Sequence, residues 1–186
     1  MTSKRKIYLL GLLTLFAFPV PTFIYRIIWQ SESFYEIMEL DLFWNLNTLN
    51  GLAFGIIYAQ LAVFLLKKPV FKNELNKQQQ MIRQLNLNKF DAVFLSLCAG
   101  IGEELLFRAG IQLWLGPVIT TIVFIAVHGY YHPKNWRMSL YGLLLTPFIL
   151  VLSFGYDYWS LWFAAAAHFA YDWVLFNESS LENNTR

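Results

Sequence analysis

The chain is divided into apolar blocks of roughly 17–25 residues, long enough for helices that cross a hydrocarbon core about 30 Å thick. The blocks run over about 7–29, 48–66, 90–115, 117–131, 138–154 and 158–176. In lipid every backbone N–H and C=O must be satisfied within the structure, so a segment of this length spans as a helix. A β-barrel would instead show short segments of alternating polarity, and none is visible. Of the 186 residues 57% are hydrophobic and only 14% charged, far from the about 25% charged of a soluble domain. The expected fold is all-α: a polytopic transmembrane bundle of about six helices.

Lys4, Arg5 and Lys6 precede the first block and resemble a signal-peptide n-region, but the apolar stretch is too long for an h-region and no small-x-small cleavage site follows. It reads as a retained helix, kinked by Pro19 and Pro21. The loop after it holds Glu32, Glu36, Glu39 and Asp41 with no Lys or Arg, whereas the loop at 67–89 is rich in Lys and Arg, and Lys134 and Arg137 follow the fourth block. The positive-inside rule then sets the N-terminus in the cytoplasm of a multi-pass protein of the cell inner membrane. Within 67–89, Met81, Ile82 and Leu85 recur at helical spacing, which suits either a short amphipathic helix on the leaflet or a solvated linker. Three parts follow: 1–89, two N-terminal transmembrane helices and a basic cytoplasmic loop; 90–176, a four-helix core; and 177–186, a polar tail expected to fray. A formal charge of +2 gives no reason to expect nucleic acid, and the lone Cys98 reads as a small buried hydrophobe.

The third block contains Glu103, Glu104 and Arg108. Three unpaired charges at mid-bilayer would cost about 8–10 kcal/mol on insertion scales. Glu104 and Arg108 are i,i+4 neighbours and can pair; Glu103 lies about 100° further round the helix and must face something else. The fourth block ends at Phe124 to His128, and the sixth carries His168 and Asp172, again i,i+4, after the run Ala164 to Ala167 that permits close helix approach. Any one of these has an ordinary structural explanation: a Glu–Arg clip, or a histidine satisfied in the core. His132, at a helix end beside Pro133, reads as interfacial, and Asp157 with the aromatics around it as an interfacial belt. It is the convergence of polar groups from three apolar helices that points to a site.

The stretches Glu103-Glu104…Arg108, Phe124…His128 and His168…Asp172 resemble, in order, the EExxxR, FxxxH and HxxxN/D motifs of the CAAX protease and bacteriocin-processing (CPBP, or Abi) family, which includes the Ras-converting CAAX endopeptidase. The resemblance covers about 90–176. It implies an intramembrane endopeptidase, CAAX prenyl endopeptidase-like, acting on a membrane-associated or lipidated peptide or protein. Glu103 would be the base that activates water, Glu104 and Arg108 would position it, His128 would help hold the water or a metal, and His168 with Asp172 would complete the site. Asp172 departs from the Ras-converting branch, which has Asn there; an ionised Asp cannot donate to an oxyanion. No cofactor is certain. The family is often called a metalloprotease family, and Glu103, His128 and His168 match a known catalytic zinc set, but the same residues suit a metal-free site with Asp172 behind His168 or beside the substrate carbonyl. Two other functions compete: a non-catalytic membrane scaffold or bacteriocin self-immunity protein on the same framework, and a proton or ion relay, which would favour a continuous polar stripe over this cluster.

Overall fold

The computed structural model describes residues 3–71 and 87–181, and among these every regular element is helical. The amphipathic helix considered for 67–89 falls largely outside the described residues.

The first apolar block forms two helices, α1 (Ser3–Phe16) and α2 (Val20–Trp29). The interruption falls at the prolines, as the sequence suggests. Pro19 is the residue before α2 and Pro21 lies in its first turn, where the missing N–H leaves no bond unmade. The acidic loop folds back on the bundle through the single-turn helix α3 (Phe34–Ile37), started by a Ser33–Glu36 capping box. Glu39 follows, and its carboxylate accepts the Leu161 N–H at 2.7 Å while its carbonyl accepts Trp162 Nε1–H at 3.0 Å. One acid of the acidic loop thus caps the start of the last helix, where helix-end N–H groups favour negative charge.

α4 (Leu46–Leu66) starts at Asn45, whose side chain accepts the Thr48 N–H. It lies along α8 (Leu161–Leu181), and two glycines set how closely. A Cβ at Gly51 would stand 2.3 Å from the Phe163 carbonyl oxygen, and one at Gly55 2.2 Å from that of Ala167. The alanine run therefore permits the close approach that its small side chains suggest.

α5 (Lys89–Leu106) opens on an Asn88–Asp91 capping box and widens into a π-helical turn over Phe107–Ile111 before α6 (Gln112–Val127). α6 is interrupted at Gly116, with φ +69°, followed by Pro117. Residues 103 and 128 would be about 38 Å apart on a straight helix, yet their side chains meet at 3.3 Å. The chain therefore reverses at Gly116, and the sequence blocks three and four are the two arms of a hairpin. α7 (Trp136–Tyr158) completes the set.

Four stretches are long and apolar enough to cross a membrane: 4–29, 46–66, 89–127 and 136–158. With 89–127 folded as a hairpin and α8 added, this agrees with a bundle of about six helices. α8 falls short of the same apolarity because it carries the polar His168, Asp172, Asn177 and Glu178. It sits innermost instead, buried continuously from Leu161 to Ala167 against α4, α5 and α7. The main apolar core joins Leu66 and Phe71 to Phe124 and Ile125, to Phe148 and Leu152 of α7, and to Ala164 and Tyr171 of α8. The expected frayed tail is helical as far as Leu181, with Glu178 paired to Lys67.

Candidate active site

The two glutamates that end α5 have opposite environments. Glu104 is wholly buried and fully engaged: Oε2 accepts from Arg108 Nε at 2.7 Å and Oε1 faces His168 Nδ1 at 2.8 Å. Arg108, also wholly buried, donates from Nη1 to Ser153 Oγ at 2.7 Å, and that hydroxyl meets Thr121 Oγ1 at 2.9 Å. Gln112 donates to the Ser153 carbonyl and to the Asp157 carboxylate. This network ties α5, the π-turn, α6, α7 and α8 together behind the site. Arg108 falls within the π-turn, a local widening often found at functional positions.

Glu103 points the other way. Its Oε2 is buried without a hydrogen-bond partner and lies 3.3 Å from His128 Nε2. His128 is the residue closing α6, and its Nδ1 is 2.7 Å from the carbonyl oxygen of Phe124. A carbonyl only accepts, so Nδ1 carries a proton. A neutral His128 would then aim a lone pair at the Glu103 carboxylate, so the contact requires either a proton between them or a water that bridges both atoms from the chamber side. The same logic applies to His168. With Nδ1 held by Glu104, Nε2 is left facing Asp172 Oδ2 at 3.6 Å, beyond hydrogen-bond length. The partner that fixes the His168 ring is thus Glu104. Asp172 stands at the opposite nitrogen, not behind the ring as one of the sequence readings had it.

Phe124 holds the histidines in place. Its ring stacks on His128 at 4.3 Å, meets His168 edge-on at 5.8 Å, and lies under the Arg108 guanidinium at 5.4 Å. The Phe-x-x-x-His spacing therefore places an aromatic one turn before the histidine as its packing surface.

Glu103, His128, His168 and Asp172 all line one cavity of about 400 Å³, within the usual range for ligand sites. Glu104 and Arg108 lie behind it. The rest of the wall is apolar or aromatic, including Leu95 of α5, Phe148 of α7 and Tyr130 beyond α6.

The donors do not fit a shared ion. Among the described residues no three His, Cys, Asp or Glu side chains gather at metal-binding spacing. Glu103, His128 and His168 are not such a group.

Sequence reasoning placed six residues here, and four of them share the cavity while two support it from behind. It missed Ser153, Thr121, Gln112 and Tyr130. Ser and Thr in apolar helices commonly bond their own backbone, as Thr121 does with the Pro117 carbonyl, so nothing in their spacing marks a tertiary role. Asp157, read as interfacial, is exposed as expected but also anchors Gln112.

An apolar helical bundle that gathers two glutamates, two histidines, an arginine and an aspartate around one chamber, with Glu104, Arg108 and His168 buried, is an integral membrane protein with an enzyme-like interior. Residues 86–174, just under half of the chain, match the family model described as type II CAAX prenyl endopeptidase, Rce1-like, and this match supports the CAAX-type family of intramembrane proteases. The matched segment holds all three polar motifs and excludes α1 to α4. No curated protein and no solved structure gives a significant match.

Proposed function

We infer that the protein is an intramembrane endopeptidase that hydrolyses a membrane-associated or lipidated peptide with water activated by Glu103. The observation that carries this reading is the buried, unpartnered Oε2 of Glu103 beside His128 Nε2 in an otherwise apolar chamber. A desolvated carboxylate oxygen without a partner is costly. A nucleophilic water on the chamber side, bridging Glu103 Oε2 and His128 Nε2, would satisfy both groups.

In this reading Glu103 takes a proton from water as the water oxygen attacks the scissile carbonyl carbon. His128, held in its Nδ1–H form by the Phe124 carbonyl, orients that water. The carbonyl oxygen gains charge as the C–O bond forms. His168 Nε2 and Asp172 Oδ2 face it from points too far apart to bond each other, and a proton carried on either one is donated to the oxyanion. This is how a site with Asp at position 172 can still stabilise the tetrahedral intermediate. Collapse breaks the C–N bond, and Glu103 returns its proton to the leaving amine. Glu104, fixed by Arg108, holds the His168 ring. None of these steps needs a metal ion.

A non-catalytic scaffold would be served equally well by the Glu104–Arg108–His168 clip, but it gives no account of the uncompensated Glu103 oxygen. The basic loops support an N-terminus in the cytoplasm of the inner membrane, with the substrate approaching from that side. The test is cleavage, in proteoliposomes, of membrane-anchored fluorogenic peptides with and without a prenyl group. Turnover of the anchored peptides supports the proposal; no turnover of any of them by folded protein refutes it.

A further inference from the structure

α1 lies outside the matched segment and carries none of the site residues, yet it forms one side of the chamber through Ile7, Leu10, Gly11 and Thr14. Its other face is bare: Leu9, Leu12, Leu13 and Phe16 are exposed, so one helix separates this side of the chamber from lipid. Of the long helices it packs chiefly on α5.

Two fastenings hold it there, and they differ in kind. Towards the end of α1, Gly102 comes so close that a Cβ would stand 2.1 Å from the Thr14 carbonyl oxygen. Contact between backbones at that spacing leaves no side chain to move aside. Just beyond, the chain breaks before α2, which is anchored separately by the Thr22 hydroxyl donating to the Leu105 carbonyl at 3.1 Å. At the start of α1, the buried Asp91 carboxylate binds Lys4 Nζ at 2.6 Å and the Tyr8 hydroxyl, and the Tyr8 ring stacks on Phe94 at 4.8 Å. Lys4 is 42% exposed, which makes this the weaker fastening. Between the two, Gly11 meets only side chains, those of Phe94, Leu95 and Cys98.

We propose that α1 is a movable wall of the chamber, hinged where Thr14 meets Gly102 and latched by Asp91 to Lys4 and Tyr8, so that releasing the latch opens the chamber to the bilayer. It rests on the reading of that chamber as the place where a membrane-resident substrate meets Glu103. The geometry favours swinging over unpacking, because the tight backbone contact and the chain break both sit at one end and the polar latch at the other.

Cys98, the one cysteine of the chain, is 1% exposed and lines the chamber beneath α1, so its alkylation reports the wall without any cleavage. The full-length protein in phosphatidylcholine liposomes is treated with N-ethylmaleimide, as wild type and as the Lys4→Gln/Tyr8→Phe variant, which keeps the ring stacked on Phe94. The variant is expected to react about tenfold faster at Cys98, the scale of losing a hydrogen bond to a charged group. A second reporter, Ala62→Cys in a Cys98→Ala background, is buried on α4 near Tyr141 and Leu145 of α7, away from α1, and its rate is expected to stay unchanged. An unchanged Cys98 rate overturns the latch. An equal rise at both positions shows global loosening and overturns it too. Neither result depends on whether the protein is a protease, which the cleavage assay decides separately.

Discussion

Glu104 and Arg108 are both wholly buried, and their pairing makes a sharp prediction about a double substitution. Arg108→Leu leaves the Glu104 carboxylate with His168 alone, and Glu104→Leu leaves the guanidinium with only Ser153. Stranding one member of a buried ion pair costs about 3–5 kcal/mol. In a membrane protein the unfolded state also finds partners, so the lower end of that range applies. Arg108 Nη2 already lacks a partner, which means the pair is desolvated without full compensation. Replacing both residues removes both charges and leaves chiefly the Nδ1 of His168 without its acceptor, at about 1–3 kcal/mol. The Glu104→Leu/Arg108→Leu protein should therefore be at least as stable as either single variant, with a coupling energy of several kcal/mol in the double-mutant cycle. Sodium dodecyl sulfate titration of purified protein in mixed micelles, followed by tryptophan fluorescence, measures each corner of the cycle. A double variant whose loss equals the sum of the two single losses would refute the buried-pair account.

Gly55→Ala should destabilise the bundle by about 1–3 kcal/mol, because its Cβ would stand 2.2 Å from the Ala167 carbonyl oxygen; thermal unfolding in detergent checks this. Burial holds the Glu39 carboxyl above the usual carboxylate range, against the opposing hydrogen bond from the Leu161 N–H. The folded state therefore binds this proton more tightly than the unfolded state, and stability from this group falls as pH rises from the ordinary carboxylate range through the raised value. Glu39→Gln should flatten that slope in unfolding curves taken across the acidic range, and an unchanged slope would contradict it. Asp172→Asn should keep or raise peptidase activity, since the amide N–H can donate to the oxyanion without the carboxyl having to be protonated; loss of activity in a folded variant would show that the carboxylate itself is needed.

Much of the helical framework was legible because apolar length and polar interruptions are linear signals. The pairing of Glu104 with Arg108 could be read from i,i+4 spacing, and the gathering of Glu103, His128, His168 and Asp172 from the expense of leaving them in lipid. What could not be read was direction. Spacing left open which carboxylate would fix His168, and Glu104 does so from α5 while Asp172, on the same helix as His168, faces the other ring nitrogen. The spacing of the zinc-like trio was likewise not legible, since composition specifies ligand types but not how closely the fold gathers them. The role of α1 was also silent, because the residues that fasten it, Lys4 and Asp91, look like ordinary flanking charges until the fold brings them 2.6 Å apart.

The most direct test of the central claim compares Glu103→Gln with wild type in the peptide-cleavage assay, with unfolding measured alongside. Gln keeps the shape of the side chain but cannot take a proton from water, and Glu103 has no hydrogen-bonded partner at Oε2 whose loss would disturb the fold. The account predicts a loss of about 10²–10⁴-fold in turnover, the range for removing a general base, with stability essentially unchanged. A folded Glu103→Gln protein that cleaves at the wild-type rate would contradict it.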